Sequence, residues 1–257
     1  MSNQTSVKSP FAVEKLNIGA KPWRIARLKT EDVAPVLALA ETHAVKKILH
    51  TRDESQSGKL REHSLKYQKQ LMGSIAEITV TTLFDRYLKS QGLENQWGVT
   101  LYDSVRTDDF RSPEGEYDIR LESARRSDVY YEVETRSSIA HNRTLAVALS
   151  QFDIIGPYES SIKKNEPLKD FYVRPLYAYL NFEKRRYSEI RFRELLISGE
   201  VRLYIVGGCT RGRMIEKGFA KTMGQGRTEY RVVRIRDGLD ILDFLEEVSN
   251  TLSNSQV

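Results

Sequence analysis

Tyr117-Asp118-Ile119-Arg120-Leu121 and, after a break of eight residues, Tyr130-Tyr131-Glu132-Val133-Glu134-Thr135-Arg136 are the segments whose reading decides the fold. Both read as strands with carboxylates set among apolar residues. Side chains alternate across a strand, so Glu132, Glu134 and Arg136 share one face, opposite Tyr131, Val133 and Thr135. Two acids this close on a half-buried strand repel each other and lose hydration. A divalent cation is the simplest compensation, with Asp118 joining from the neighbouring strand. The plainer alternative is a solvated face on which Arg136 is a cross-strand ion-pair partner.

The chain has 257 residues, enough for a substantial core, with 40% hydrophobic and 29% charged residues. A net charge of +5 permits a polyanionic partner without requiring one. One cysteine, Cys209, excludes an internal disulfide framework and a cysteine-rich zinc site. No apolar run approaches the roughly 20 residues of a membrane span, and Met1 to Pro10 lacks the apolar core of a secretory signal. A cytoplasmic protein without membrane contact is the expectation.

Residues 1–20 read as a polar arm, followed by a capped helix from Val33 to about Leu49 with Pro35 in its first turn. Residues 1–63 are thus expected as an arm and helical extension, and 64–257 as the main domain. Residues 51–63 read as a loop. Apolar residues at near-helical spacing predict a long helix over about 64–90, stopped at Gly92, with Glu77 beside the small residues Gly73 and Ala76. Strands are expected near 96–105, 116–122, 128–136, 171–182, 202–206 and 228–236. Helices are expected near 144–152, 187–198, 211–218 and 239–252, and an exposed loop over 156–169. This is an α/β fold, a mixed central β-sheet flanked by helices with an N-terminal helical extension.

The order of these elements and acids resembles the restriction-endonuclease-like, or PD-(D/E)XK, nuclease superfamily over roughly Gly73 to Leu245. The family core is a helix bearing an acid, then a three-stranded meander with an Asp on its second strand and acid-x-Lys on its third. A helix and a further strand complete it. Glu77, Asp118 and Glu132-Val133-Glu134 match these positions, and Tyr131-Glu132-Val133-Glu134-Thr135 is similar to the family's apolar-Glu-Val-Lys-Thr segment. Leu203-Tyr204-Ile205-Val206-Gly207-Gly208 is similar to the segment just past the core in many members. Glu134 then stands where Lys is usual. A second register, Glu134-Thr135-Arg136 as acid-x-Arg, also fits; the first matches the segment better and keeps Val133 between the acids.

The resemblance implies a Mg2+-dependent DNA endonuclease, with Mn2+ as a substitute ion, in restriction-modification or antiviral defence. Asp118, Glu132 and the Val133 carbonyl would ligate metal, and Glu77 would bind a second ion directly or through water. Glu134 would act as general base or as ligand. Arg136 would neutralise the acids or touch phosphate; His141 and Arg143, just past the third strand, are further phosphate candidates. Residues 171–236 carry fifteen Lys or Arg against six Asp or Glu, and Lys184, Arg185, Arg186, Arg191, Arg193, Arg211, Arg213, Lys217 and Arg227 are candidate backbone contacts. No glycine pair is followed by a Walker-type Lys-Ser/Thr, so no nucleotide cofactor is expected. The expected partners are DNA and either a second copy, as a homodimer, or a defence-system protein. A catalytically silent subunit of the same fold that binds nucleic acid or assembles a complex is the competing reading.

Overall fold

The computed structural model describes residues 9–51, 62–111, 117–141, 143–159, 166–181, 191–222 and 229–255. Two strands open the fold, β1 (Phe11–Ile18) and β2 (Lys21–Leu28), paired antiparallel. This corrects the expected arm. Gly19, with φ at +63°, and Ala20 form a two-residue turn between runs that bury Trp23, Ile25 and Leu28. A 3-10 turn leads into α1 (Val33–His50), where Asp32 stands before the helix without a side-chain capping bond.

The long helix α2 (His63–Ser90) ends as its glycine predicts. Gly92 lies at φ +68°, and the Gly92 and Leu93 amides return to the Lys89 and Leu88 carbonyls. An antiparallel meander comes next: β3 (Trp97–Leu101), a single turn α3 (Tyr102–Val105), β4 (Ile119–Ser123) and β5 (Tyr130–Thr135). The chain continues through β6 (Ser138–Ala140), α4 (Leu145–Gln151) and β7 (Asp153–Tyr158). Residues 156–158 are therefore strand, not loop. Gly156 and Pro157 read as a turn in sequence, but they fall at a register shift in the pairing with a later strand, where a missing N–H is tolerated.

Then come β8 (Phe171–Tyr179), α5 (Phe192–Ile197), β9 (Val201–Thr210), α6 (Arg211–Lys217), β10 (Phe219–Thr222), β11 (Glu229–Arg234) and α7 (Ile241–Asn254). Eight strands form one mixed sheet in the order β1-β2-β9-β8-β5-β4-β3, with β6 also alongside β8; β10-β11-β7 form a second sheet. Strand β8 runs parallel to β5 and β6, and the other pairings are antiparallel. The fold is the expected mixed sheet flanked by helices. The hairpin extends that sheet through β2 against β9, so residues 11–28 belong to it rather than to an appendage.

Each face of the large sheet covers its own core. One packs Ile75 and Phe84 of α2 and Phe244 of α7 against Val133 and Phe171. The other gathers Trp23, Ile25, Tyr172, Leu176, Cys209 and Met214. The hairpin is locked by the Trp23 indole N–H on the Val206 carbonyl at 2.6 Å. Arg24 ties it to Asp240, the carboxylate that caps α7. Among the described residues no helix is long and apolar enough to cross a membrane.

Candidate functional site

On β5 the alternation seen in the sequence holds: Val133 is fully buried in the core, and Glu132 and Glu134 project from the opposite face. The surroundings of the two acids differ. Glu132 accepts from Arg120 at 3.1 Å and from Lys169 at 2.8 Å. Its own amide donates to Asp170 at 2.9 Å. The Arg120 guanidinium lies between the Tyr117 and Tyr130 rings, 3.9 and 4.1 Å from their centroids, and is thereby fixed in orientation. This end of β5 is a charge-balanced ion-pair cluster.

At the other end, Asp118 sits immediately before β4 and accepts the Thr135 amide at 2.6 Å. Val133 is the last β5 residue paired with β4, so the Thr135 amide is available to this carboxylate. Burial, then the charges of Glu134 and Glu77, hold the Asp118 carboxyl well above the usual carboxylate range, opposed by the Thr135 amide and Arg136. Glu134 pairs with Arg136 at 2.8 Å, and Arg136 also reaches Glu166 at 2.6 Å. Its guanidinium lies 4.8 Å from the Tyr158 ring and 5.4 Å from the Tyr230 ring, both contributed by the small sheet. Burial alone would lower the Arg136 pKa; Glu134 and Glu166 outweigh it and keep the guanidinium firmly charged.

Glu77 enters from α2. Burial raises its carboxyl, Lys47 of α1 opposes this through a 3.0 Å ion pair, and Asp103 of α3 reinforces it. Lys47 also pairs with Asp103, and the two acids keep it charged despite burial. The fold thus joins Asp118, Glu134 and Glu77 electrostatically, with Arg136 and Lys47 as internal counter-charges. Among the described residues no group of three or more His, Cys, Asp or Glu side chains is disposed to hold a metal ion. The reason is visible in the partners: Asp118 is turned to a backbone amide, Glu134 to Arg136 and Glu77 to Lys47. Carboxylate oxygen is the donor type a hard divalent cation takes, but in this arrangement the three side chains are not grouped around one point. Asp118, Glu134 and Glu77 interact through their charges, and burial first, then the other two carboxylates, push Asp118 toward protonation.

The remaining predicted residues that the structure describes have other partners. His141 lies just beyond β6. Arg143 donates to the His141 carbonyl at 3.2 Å and to Gln151 at 2.6 Å. Much of the expected basic region is used internally. Arg191 pairs with Glu194, Arg193 with Glu41 and Lys217 with Glu216. Arg211 reaches the Leu168 carbonyl and Arg213 the Asp237 carbonyl. Lys184, Arg185, Arg186 and Arg227 lie outside the described residues.

Lys47 and Asp103 are members of the cluster that sequence reasoning does not single out. Lys47 falls on the inner stripe of α1 with Val36, Ala40 and Ala44. A lysine at an apolar stripe position is a readable sign of a buried cation that needs an acid.

No family model and no solved structure matches this chain. An uncharacterized protein of Methanocaldococcus jannaschii is 28% identical over 227 residues, spanning 79% of this chain and 78% of its own.

Proposed function

We propose that this chain is a divalent-metal-dependent DNA endonuclease of the PD-(D/E)XK type whose acid-x-cation segment is Glu134-Thr135-Arg136. The observation that carries the reading is the unequal treatment of two acids on one strand. Glu132 is satisfied by Arg120 and Lys169, whereas Glu134 shares Arg136 with Glu166 and adds its charge to that of Glu77 against Asp118, whose carboxyl burial already raises. This favours Asp118 with Glu134 over Asp118 with Glu132. The element order supports it as well: an acid-bearing helix, a three-stranded meander, a helix, and a strand parallel to the third member of the meander.

Asp118 and Glu134 would hold Mg2+ or Mn2+, with Glu77 beside them. Such an ion supplies phosphate polarisation and a water acidic enough to attack at neutral pH. Arg136 remains charged at any working pH and would meet the phosphate in exchange for Glu166. Glu77 would have to turn from its ion pair with Lys47 to reach the ion. Restriction or anti-phage defence is the setting this chemistry suits.

A second reading, a nucleic-acid-binding subunit without catalysis, is favoured by the internal ion pairs that occupy Glu77 and Glu134. Supercoiled plasmid incubated with the protein, with Mg2+ or with a chelator, separates them. Nicked or linear product that needs the metal supports the nuclease. An intact plasmid with retarded mobility supports the binding subunit and removes the enzyme.

A further inference from the structure

We infer that Arg174 is the positioning residue of this site, its guanidinium holding the Arg136 backbone across a break in the sheet and so setting where the Glu134–Arg136 face points.

The break is visible in the register. Strand β5 pairs with β8 as Val133 with Phe171, Glu134 with Tyr172 and Thr135 with Val173. Strand β6 resumes in the same register, Ser138 with Leu176 through Ala140 with Ala178. Arg136 and Ser137 are skipped, and they stand opposite Arg174 and Pro175. Pro175 has no N–H to give to either neighbour. The ladder between β8 and β9 also shifts register between Val173 and Pro175. Ordinary backbone pairing therefore fails on both sides of β8 at one level, the level at which Arg136 leaves the strand.

Arg174 takes over the missing bonds. One terminal nitrogen donates to the Arg136 carbonyl, and the other donates to the Ser138 hydroxyl at 2.9 Å, so one planar group spans the two skipped residues. The side chain is 1% exposed. Its Nε has no hydrogen-bond partner among the described residues, and burial brings its pKa down to about 9, opposed by the charge of Asp153. Asp153 is itself engaged by Lys221. A buried guanidinium bonded to a carbonyl and a hydroxyl is a poor choice for packing alone, since an apolar residue of that size would avoid the desolvation. What it supplies is two coplanar donors in a fixed fork, which a ladder interrupted by proline lacks.

The consequence for the site is local. With its carbonyl held, Arg136 presents its guanidinium to Glu134 and Glu166 beside the packed Tyr158 and Tyr230 rings. Without that hold, residues 136 and 137 are free to relax away from β8, and Glu134 loses its counter-charge.

The kinetic half of this inference rests on the nuclease reading, while the structural half does not, and the test keeps them apart. Amide hydrogen exchange is measured on the full chain as wild type, Arg174→Gln and Arg174→Lys. We expect amides over 134–140 to exchange at least about tenfold faster in Arg174→Gln, with those of α7 and the β1–β2 hairpin unchanged and Arg174→Lys in between. Unchanged exchange at 134–140, or acceleration spread evenly over the sheet, overturns the inference. If Arg174→Gln does not fold, Arg174→Lys carries the same comparison. Plasmid cleavage by Arg136→Gln, Arg174→Gln and the double variant then tests the route of action. The double variant is expected to be no slower than Arg136→Gln alone, and independent, multiplying losses would contradict action through Arg136. A wild type that cuts nothing defeats the nuclease reading and leaves the exchange result to decide on Arg174.

Discussion

The two halves of β5 are built from the same materials and treated oppositely. Around Glu132 the chain supplies Arg120, Lys169 and two tyrosine rings, and the acid is balanced by the fold itself. Around Glu134 it supplies two more acids, Asp118 and Glu77, and counter-charges that each serve two carboxylates: Arg136 for Glu134 and Glu166, Lys47 for Glu77 and Asp103. A half-buried ion pair completed from nearby strands is structural. An excess of buried carboxylates costs stability, a cost that the proposed cation would offset when bound.

The largest effect expected from this contrast is on cleavage. On the proposed nuclease reading, Asp118→Ala removes the acid common to the cluster and lowers the rate by about a thousandfold or more in a Mg2+ plasmid assay, since its loss would disrupt the proposed metal site as a unit.

Next in size is stability at the balanced end. Glu132→Ala leaves Lys169 and Arg120 without their acid and costs about 1–3 kcal/mol, a fall in Tm of several degrees by calorimetry.

Smaller still is stabilisation by the ion. Mg2+ at about ten times its Kd raises stability by about 1.4 kcal/mol, and Glu134→Gln reduces that shift while Glu132→Gln keeps it.

The smallest effect is a gain. Asp118 is raised in the folded state, so its contribution is complete below the unfolded pKa, about 4, and is lost as the pH climbs through the folded value. Asp118→Asn removes that loss. It should raise the metal-free Tm by about 2–4 °C at neutral pH, for about 1 kcal/mol, and by nothing in acid below the Asp range. An equal gain at both pH values would show that charge repulsion is not the cause.

Much of this arrangement is legible in the chain. The period-two alternation places Glu132 and Glu134 on one face, and helical spacing places Glu77 on a long helix that ends at Gly92. The choice between the two acids is not legible. Glu132 is balanced by Lys169, 37 residues away on the approach to β8, and by a cross-strand Arg120 whose pairing depends on register. The counter-charge on Glu77 comes from Lys47, in a helix that reads as an extension of the domain. The hairpin is hidden because polar residues dominate residues 1–20. Its signal lies in Gly19-Ala20, set between two strands whose buried residues appear only on pairing. Residues 156–158 mislead because Gly and Pro mark turns in sequence, yet an irregular strand of a small sheet accommodates both.

One pair of variants separates the two acids most directly. Glu132→Gln and Glu134→Gln differ by two residues on one face of one strand, and both keep the side-chain shape. Their Mg2+-dependent plasmid cleavage, measured at equal folded fraction, should separate widely. Glu132→Gln is expected to stay within about tenfold of wild type, and Glu134→Gln to lose about a thousandfold or more. The reverse order, or equal losses in both, would contradict the assignment of Asp118 and Glu134 as the functional pair.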